Sequence, residues 1–136
     1  MFRTLDDQIS VFGQLAPGDV AAAKAQGFTM IVNNRPDGEQ PGQPTGAEIE
    51  AAVRAAGLGY AAIPVDHSGF SETQVEAMAG ALQVAGGPVL AFCRSGTRST
   101  FLWALARARL GDDGETLIAK AANAGYDISP IRNALG

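Results

Sequence analysis

Five consecutive residues without a polar side chain, Pro88-Val89-Leu90-Ala91-Phe92, run directly into Cys93-Arg94-Ser95-Gly96-Thr97-Arg98-Ser99, and this junction constrains the fold more than any other stretch. A strand that is apolar on both faces has to be covered on both, which is the situation of a central strand in a parallel sheet packed between helices. A second run, Phe28-Thr29-Met30-Ile31-Val32, asks for the same surroundings. Alanine-rich stretches of helical length separate such runs, punctuated by glycine, proline and asparagine, so the chain reads as α/β.

The first strand is expected over 8–12, at a sheet edge, ending at Gly13. Pro17 opens a helix through Gln26, with Asp19 in its first turn and Gly27 just beyond its end. The segment from Asn33 to Pro44, rich in proline, glycine and asparagine, is an acidic loop. Thr45 with Glu48 forms a capping box for a helix to Ala56, closed by Gly57, and Tyr60 to Ile63 is the third strand. Pro64 ends that strand. A polar loop, Val65 to Phe70, leads to a second capping box, Ser71 with Gln74, and a helix to about Ala85.

Leu102, Trp103, Leu105, Ala106 and Leu110 are spaced for a helix over 99–110 with one wide apolar face. A helix over 115–124 and a short one opened by Ser129-Pro130 complete the chain. With 136 residues, 46% of them hydrophobic and 18% charged, one domain spanning 1–136 is expected around an ordinary core.

Several function classes drop out. The net charge is −4 and the ten lysines and arginines are scattered, which argues against nucleic acid as a partner. No apolar stretch is long enough to cross a bilayer, and no basic start followed by an apolar run marks a leader, so a soluble, cytoplasmic protein without a membrane partner is expected. A single cysteine excludes an internal disulfide, and one histidine without a carboxylate cluster leaves a metal short of ligands. No metal and no cofactor are expected.

The chemistry concentrates after the apolar strand. A tight turn with Gly96 at its centre, leading into a helix opened by Ser99-Thr100, makes a nest of backbone amides suited to an anion. At its base, Cys93 is the candidate nucleophile, because amide dipoles and the Arg98 guanidinium favour thiolate over thiol. Arg98 offers a planar fork to a developing oxyanion, while Arg94, Ser95, Gly96, Thr97 and Ser99 form the rest of the loop. Ser99 is most simply the helix cap, with donation to a departing thiolate as its other role. Asp66, in the loop after the preceding strand, is the candidate general acid, although a turn-forming role is the commoner one for an aspartate beside Ser68 and Gly69. His67 and Arg35 reach the same sheet edge as possible substrate contacts.

The order of segments resembles the dual-specificity branch of the cysteine phosphatases, and most closely the phosphatase-like domain of beta-lactamase-hydrolase-like proteins. The similarity runs through Ile9-Ser10-Val11-Phe12-Gly13-Gln14-Leu15, Pro17-Gly18-Asp19-Val20, Gly27-Phe28, Ile31-Val32-Asn33-Asn34-Arg35, Tyr60, Ile63-Pro64-Val65-Asp66 and Pro88 to Arg98, nearly the whole chain. It implies a single-domain cysteine-phosphatase-like fold, a central mostly parallel sheet of four or five strands with helices on both faces. It also implies Cys93 as nucleophile, Arg98 as oxyanion clamp and Asp66 as acid. The chain departs from that pattern in one place: four residues separate Cys93 from Arg98 where five are usual, and Phe92 stands where a histidine is usual. The string Cys-Arg-Ser-Gly-Thr-Arg-Ser is similar to the active loop of rhodaneses, which carry sulfur as a cysteine persulfide.

Three functions follow as expectations. The first is hydrolysis of a phosphate ester through a cysteinyl-phosphate, with a small anionic or phosphorylated molecule as substrate. The second is sulfur transfer through a Cys93 persulfide, for which Asp66 is unnecessary. The third is a non-catalytic module that binds phosphate or a phosphopeptide.

Overall fold

The computed structural model describes residues 2–136. Five strands, β1 (Arg3–Thr4), β2 (Ile9–Phe12), β3 (Met30–Asn33), β4 (Gly59–Ala62) and β5 (Val89–Phe92), form one sheet in the order β1-β2-β5-β3-β4. Only β1 is antiparallel, to β2; the other pairs run parallel. The apolar run that leads into Cys93 is therefore the middle strand, β5. Its two-residue period divides it between two cores, Val89 and Ala91 facing one and Leu90 and Phe92 the other.

Helices α1 (Val20–Ala25) and α2 (Gly46–Ala55) cover the face that carries Ile31, Leu90 and Phe92. The opposite face, with Val11, Val32, Val89 and Ala91, is covered by α3 (Glu72–Val84), α4 (Thr97–Arg109) and α5 (Gly114–Asn123). This is the mostly parallel α/β sheet with helices on both sides that the sequence implied. Trp103 is fully buried, and its indole N–H donates to Asp6 at 3.3 Å. No helix among the described residues is long and apolar enough to cross a membrane.

Three local expectations need correction. Strand β2 is not an edge strand, because β1 folds back onto it through a turn in which the Asp6 carboxylate accepts the N–H groups of Gln8 and Ile9 at 2.8 and 2.9 Å. The helix expected from Pro17 begins as a 3-10 turn, Pro17–Asp19, in which Asp19 accepts the Ala16 N–H. Helix α4 starts at Thr97, two residues before the expected Ser99, because Gly96 takes a φ of 89° as its N-cap and turns the chain early. Ser99 is thus an interior residue of the first turn and not the cap.

Of the two expected capping boxes, Ser71 with Gln74 is complete, whereas Thr45 accepts the Glu48 N–H but returns its hydroxyl to the Glu48 carboxylate. Both nevertheless set the start of their helices.

The register decides where chemistry can occur. Phe12 pairs with Phe92, Asn33 with both Phe92 and Ala62, so β2, β5, β3 and β4 end level with one another. The four segments that leave them, beginning at Gly13, Asn34, Ile63 and Cys93, emerge at a single carboxyl edge, the place where ligands of open α/β sheets collect.

Candidate active site

Cys93 prolongs β5 by one residue, its N–H donating to the Phe12 carbonyl at 3.4 Å, and its side chain is fully buried. The sulfur accepts the Gly96 N–H at 3.1 Å, so it lies beneath the turn that follows it and not away from it. The Gly96 carbonyl closes the first turn of α4 by accepting the Thr100 N–H at 3.0 Å and the Thr100 hydroxyl at 2.8 Å. The amino end of a 13-residue helix therefore faces the same concavity. Neighbouring chain presses closely on this turn: a Cβ on Gly13 would stand 3.0 Å from the Arg94 carbonyl oxygen. Arg94, Ser95 and Thr97 are exposed, and the hydroxyls of Ser95 and Thr97 are hydrogen-bonded at 3.1 Å.

Arg98 is buried, and its donors can be counted. Nη1 donates to Glu39 Oε2 at 2.8 Å and to the Val65 carbonyl at 2.6 Å, and Nη2 donates to Glu39 Oε1 at 2.9 Å. A guanidinium has five N–H groups, so these three bonds leave Nε and one hydrogen of Nη2, two adjacent donors along one side of the fork. That edge suits two oxygens of a tetrahedral anion. Hydrogen bonding to Glu39 holds Arg98 above its usual range, and the Cys93 side chain contributes in the same direction. The sulfur and the guanidinium therefore belong to one electrostatic unit.

Glu39 was not singled out from sequence. It comes from the acidic loop after β3, which folds over the edge so that the carboxylate bridges Arg98 and Arg35 Nε, the latter at 2.8 Å. Hydrogen bonding from Arg98, with Arg35 adding to it, holds its carboxyl at about 2, below the ordinary 4.5 and against the effect of burial. The only prior signal was its place four residues after an arginine in a loop leaving a parallel strand. Arg35 is itself buried, donating to Gln14 at 2.9 Å and Gln40 at 3.1 Å as well. In this arrangement it organises the loop.

A buried amide ties the edge together. Asn34 donates through Nδ2 to the Ile63 carbonyl at 2.9 Å and accepts the Ser99 hydroxyl on Oδ1 at 2.8 Å, while its N–H donates to the Phe92 carbonyl at 2.8 Å. Ser99 is thereby bonded to Asn34 and not to the sulfur. Asp66 stands beside Val65, whose carbonyl holds Arg98, but its side chain is exposed and turned to Ser68, accepting the hydroxyl at 2.5 Å and the N–H at 2.9 Å. Those bonds, the hydroxyl first, hold the Asp66 carboxyl below its usual range. His67 is exposed. The structure thus brings Cys93, Gly96, Arg98 and Ser99 together, reaches Arg35 only through Glu39, and leaves Asp66 and His67 at the rim.

A cysteine under an amide turn at the end of the central parallel strand, with an arginine in the helix that follows, defines a protein of the cysteine-phosphatase fold. P. aeruginosa TpbA shares that fold with a TM-score of 0.67 at 19% identity, over 98% of this chain and 80% of that one. The chain belongs to the family described as beta-lactamase hydrolase-like protein, phosphatase-like domain, whose model matches residues 1–110. It is 38% identical over 104 residues to a beta-lactamase hydrolase-like protein of Agrobacterium fabrum, covering 76% of this chain and 24% of that protein. The chain thus spans about a quarter of that relative's length. A candidate phosphatase from Neisseria meningitidis, solved by crystallography, is 33% identical with a TM-score of 0.84, over 98% of this chain and 94% of that one. Family and fold together support a phosphatase-like function. The family match takes in every segment that carries the resemblance, from Ile9 to Arg98, and the structural match covers 98% of the chain.

Proposed function

We propose that the chain hydrolyses a phosphate ester through a cysteinyl-phosphate intermediate. The observation that carries this is the pairing of a buried Cys93 sulfur, already accepting the Gly96 N–H, with an Arg98 guanidinium whose two remaining donors lie along one edge. In the first step the thiolate attacks phosphorus, the sulfur–phosphorus bond forms, and the phosphorus–oxygen ester bond breaks with its electron pair leaving on the oxygen. Loop amides and Arg98 stabilise charge on the equatorial oxygens. Water then attacks the same phosphorus, the sulfur departs as thiolate, and inorganic phosphate is released.

The leaving oxygen sets the substrate class. A general acid must begin the step protonated, whereas Asp66 is held as a carboxylate by Ser68. To serve as acid Asp66 has to turn from Ser68 and also take up a proton, so the reading favours esters of acidic alcohols, aryl phosphates first, whose leaving oxygen departs without a proton. Replacement of Cys93 by serine tests the proposal: turnover of an aryl phosphate should fall below detection with the fold retained, and unchanged turnover removes the mechanism.

The same observation on Asp66, with the four-residue spacing from Cys93 to Arg98, favours one second reading. Thiolate attack on the outer sulfur of thiosulfate would give a Cys93 persulfide and sulfite, a step that needs no acid. Intact mass after incubation with thiosulfate distinguishes the two, since a gain of one sulfur supports transfer and no gain removes it.

A further inference from the structure

The peptide unit between Ser95 and Gly96 carries bonds on both of its sides. Its N–H, on Gly96, donates to the Cys93 sulfur at 3.1 Å. Its carbonyl, on Ser95, accepts the Tyr126 hydroxyl at 2.9 Å. In a planar trans peptide the C=O and N–H vectors are antiparallel, so an anchor on the oxygen from outside the loop directs the hydrogen inward. Tyr126 comes from the segment after α5, 31 residues from Ser95 and beyond the 1–110 span of the family model.

This plane has reason to need an outside anchor. Gly96 sits at φ 89°, a conformation glycine adopts freely, and the same freedom leaves it little resistance to rotation of the peptide before it. A Cβ at Gly96 would run into the Tyr126 hydroxyl, so the phenol lies directly against the turn. Tyr126 is itself held: Gly125 reverses the chain at φ 97°, Arg3 stacks 5.6 Å from the ring centroid, and Arg3 Nη1 donates to the Ala124 carbonyl at 2.9 Å. Burial, opposed by the charge of Arg3 and aided to a smaller extent by Cys93, keeps the phenol above its usual range, so it remains a donor at neutral pH.

We propose that Tyr126 is a positioning residue for the nucleophile loop: its hydroxyl locks the Ser95–Gly96 peptide with the N–H aimed at the Cys93 sulfur and at the anion that sulfur attacks. The effect on turnover rests on the phosphatase reading; the effect on the sulfur does not.

Tyr126→Phe keeps the ring and its stacking and deletes only the hydroxyl. Alkylation of Cys93 by iodoacetamide, followed across pH by intact mass, should reach half its maximal rate at a pH higher by about half to one unit than in the wild type, because the thiolate loses an aligned donor. Aryl phosphate turnover should fall about tenfold in kcat with little change in KM, less than the 100-fold or more that follows outright loss of an oxyanion donor. The alkylation profile decides the proposal, since a purely structural role would leave it in place; coincident profiles overturn it. Absence of turnover in the wild type would instead remove the phosphatase reading and leave the alkylation result standing. Should the variant fail to fold, the native protein gives the answer: the Gly96 amide resonance should shift as the thiol ionises, and an amide that does not respond overturns the proposal.

Discussion

Glu39 fixes the direction of the Arg98 guanidinium, since three donors are held on Glu39 and Val65 and the remaining two are left side by side. Glu39→Gln should therefore lower kcat/KM on an aryl phosphate about tenfold; a rise would show that the carboxylate obstructs the site. The acid has a second signature. Its folded value of about 2 lies below its ordinary 4.5, so the stability it confers is complete above about pH 4.5 and is lost as pH falls toward 2. Thermal midpoints of wild type and variant should differ at neutral pH by the equivalent of about 2 kcal/mol and converge over that interval, and a constant difference would refute the linkage. Asp66→Asn is the contrasting case. With Ser68 holding Asp66 ionised, aryl phosphate hydrolysis should change less than about threefold, whereas a loss near 100-fold would establish Asp66 as the acid. At this scale Cys93 and Arg98 were legible because the whole motif lies within seven residues. Glu39 and Tyr126 were not, because each reaches the loop across 59 and 31 residues of intervening chain, and no local pattern announces such a contact.

At the scale of elements, strands and caps were read from local rules, and the misplacements have local causes. Apolar runs gave β3 and β5, and Ser71 with Gln74 gave the start of α3, because period and capping are properties of adjacent residues. The two-residue β1 is too short to carry a period, and the early start of α4 depends on the positive φ of Gly96, which composition does not reveal. The carboxyl ends of the strands are joined by a device equally invisible in sequence, the Asn34 side chain between Ile63 and Ser99. Asn34→Ala strands a buried carbonyl and hydroxyl together and should cost about 2–4 kcal/mol in urea unfolding, with the m value unchanged. Ser99→Ala removes only the hydroxyl and should cost about 1 kcal/mol. In the double variant the losses should fall short of their sum, because both act through one bond; strict additivity would mean that the brace does not couple α4 to β3.

For the whole molecule, the question is how the last part of the chain serves a site built before it. Helix α5 and the turn Ser129–Leu135 lie after the 1–110 family match, yet Leu117, Ala121 and Ile128 are fully buried in the same core as Val11, Val89 and Trp103. That packing fixes α5, and Tyr126 leaves the end of α5 to meet the Ser95 carbonyl. Core and Cys93 loop are thus linked through one short segment, and two substitutions separate their contributions. Leu117→Ala opens a cavity in a fully buried position and should lower unfolding free energy by about 2–5 kcal/mol. While the protein stays folded, however, the Ser95–Gly96 peptide keeps its anchor, so the pH profile of Cys93 alkylation should stay with that of the wild type. Tyr126→Phe should do the reverse, shifting the profile with a thermal midpoint within a few degrees of the wild type. If Leu117→Ala moved the alkylation profile in proportion to the stability lost, the loop would be responding to the rigidity of the whole core, and the hydrogen bond from Tyr126 would not be the link between them.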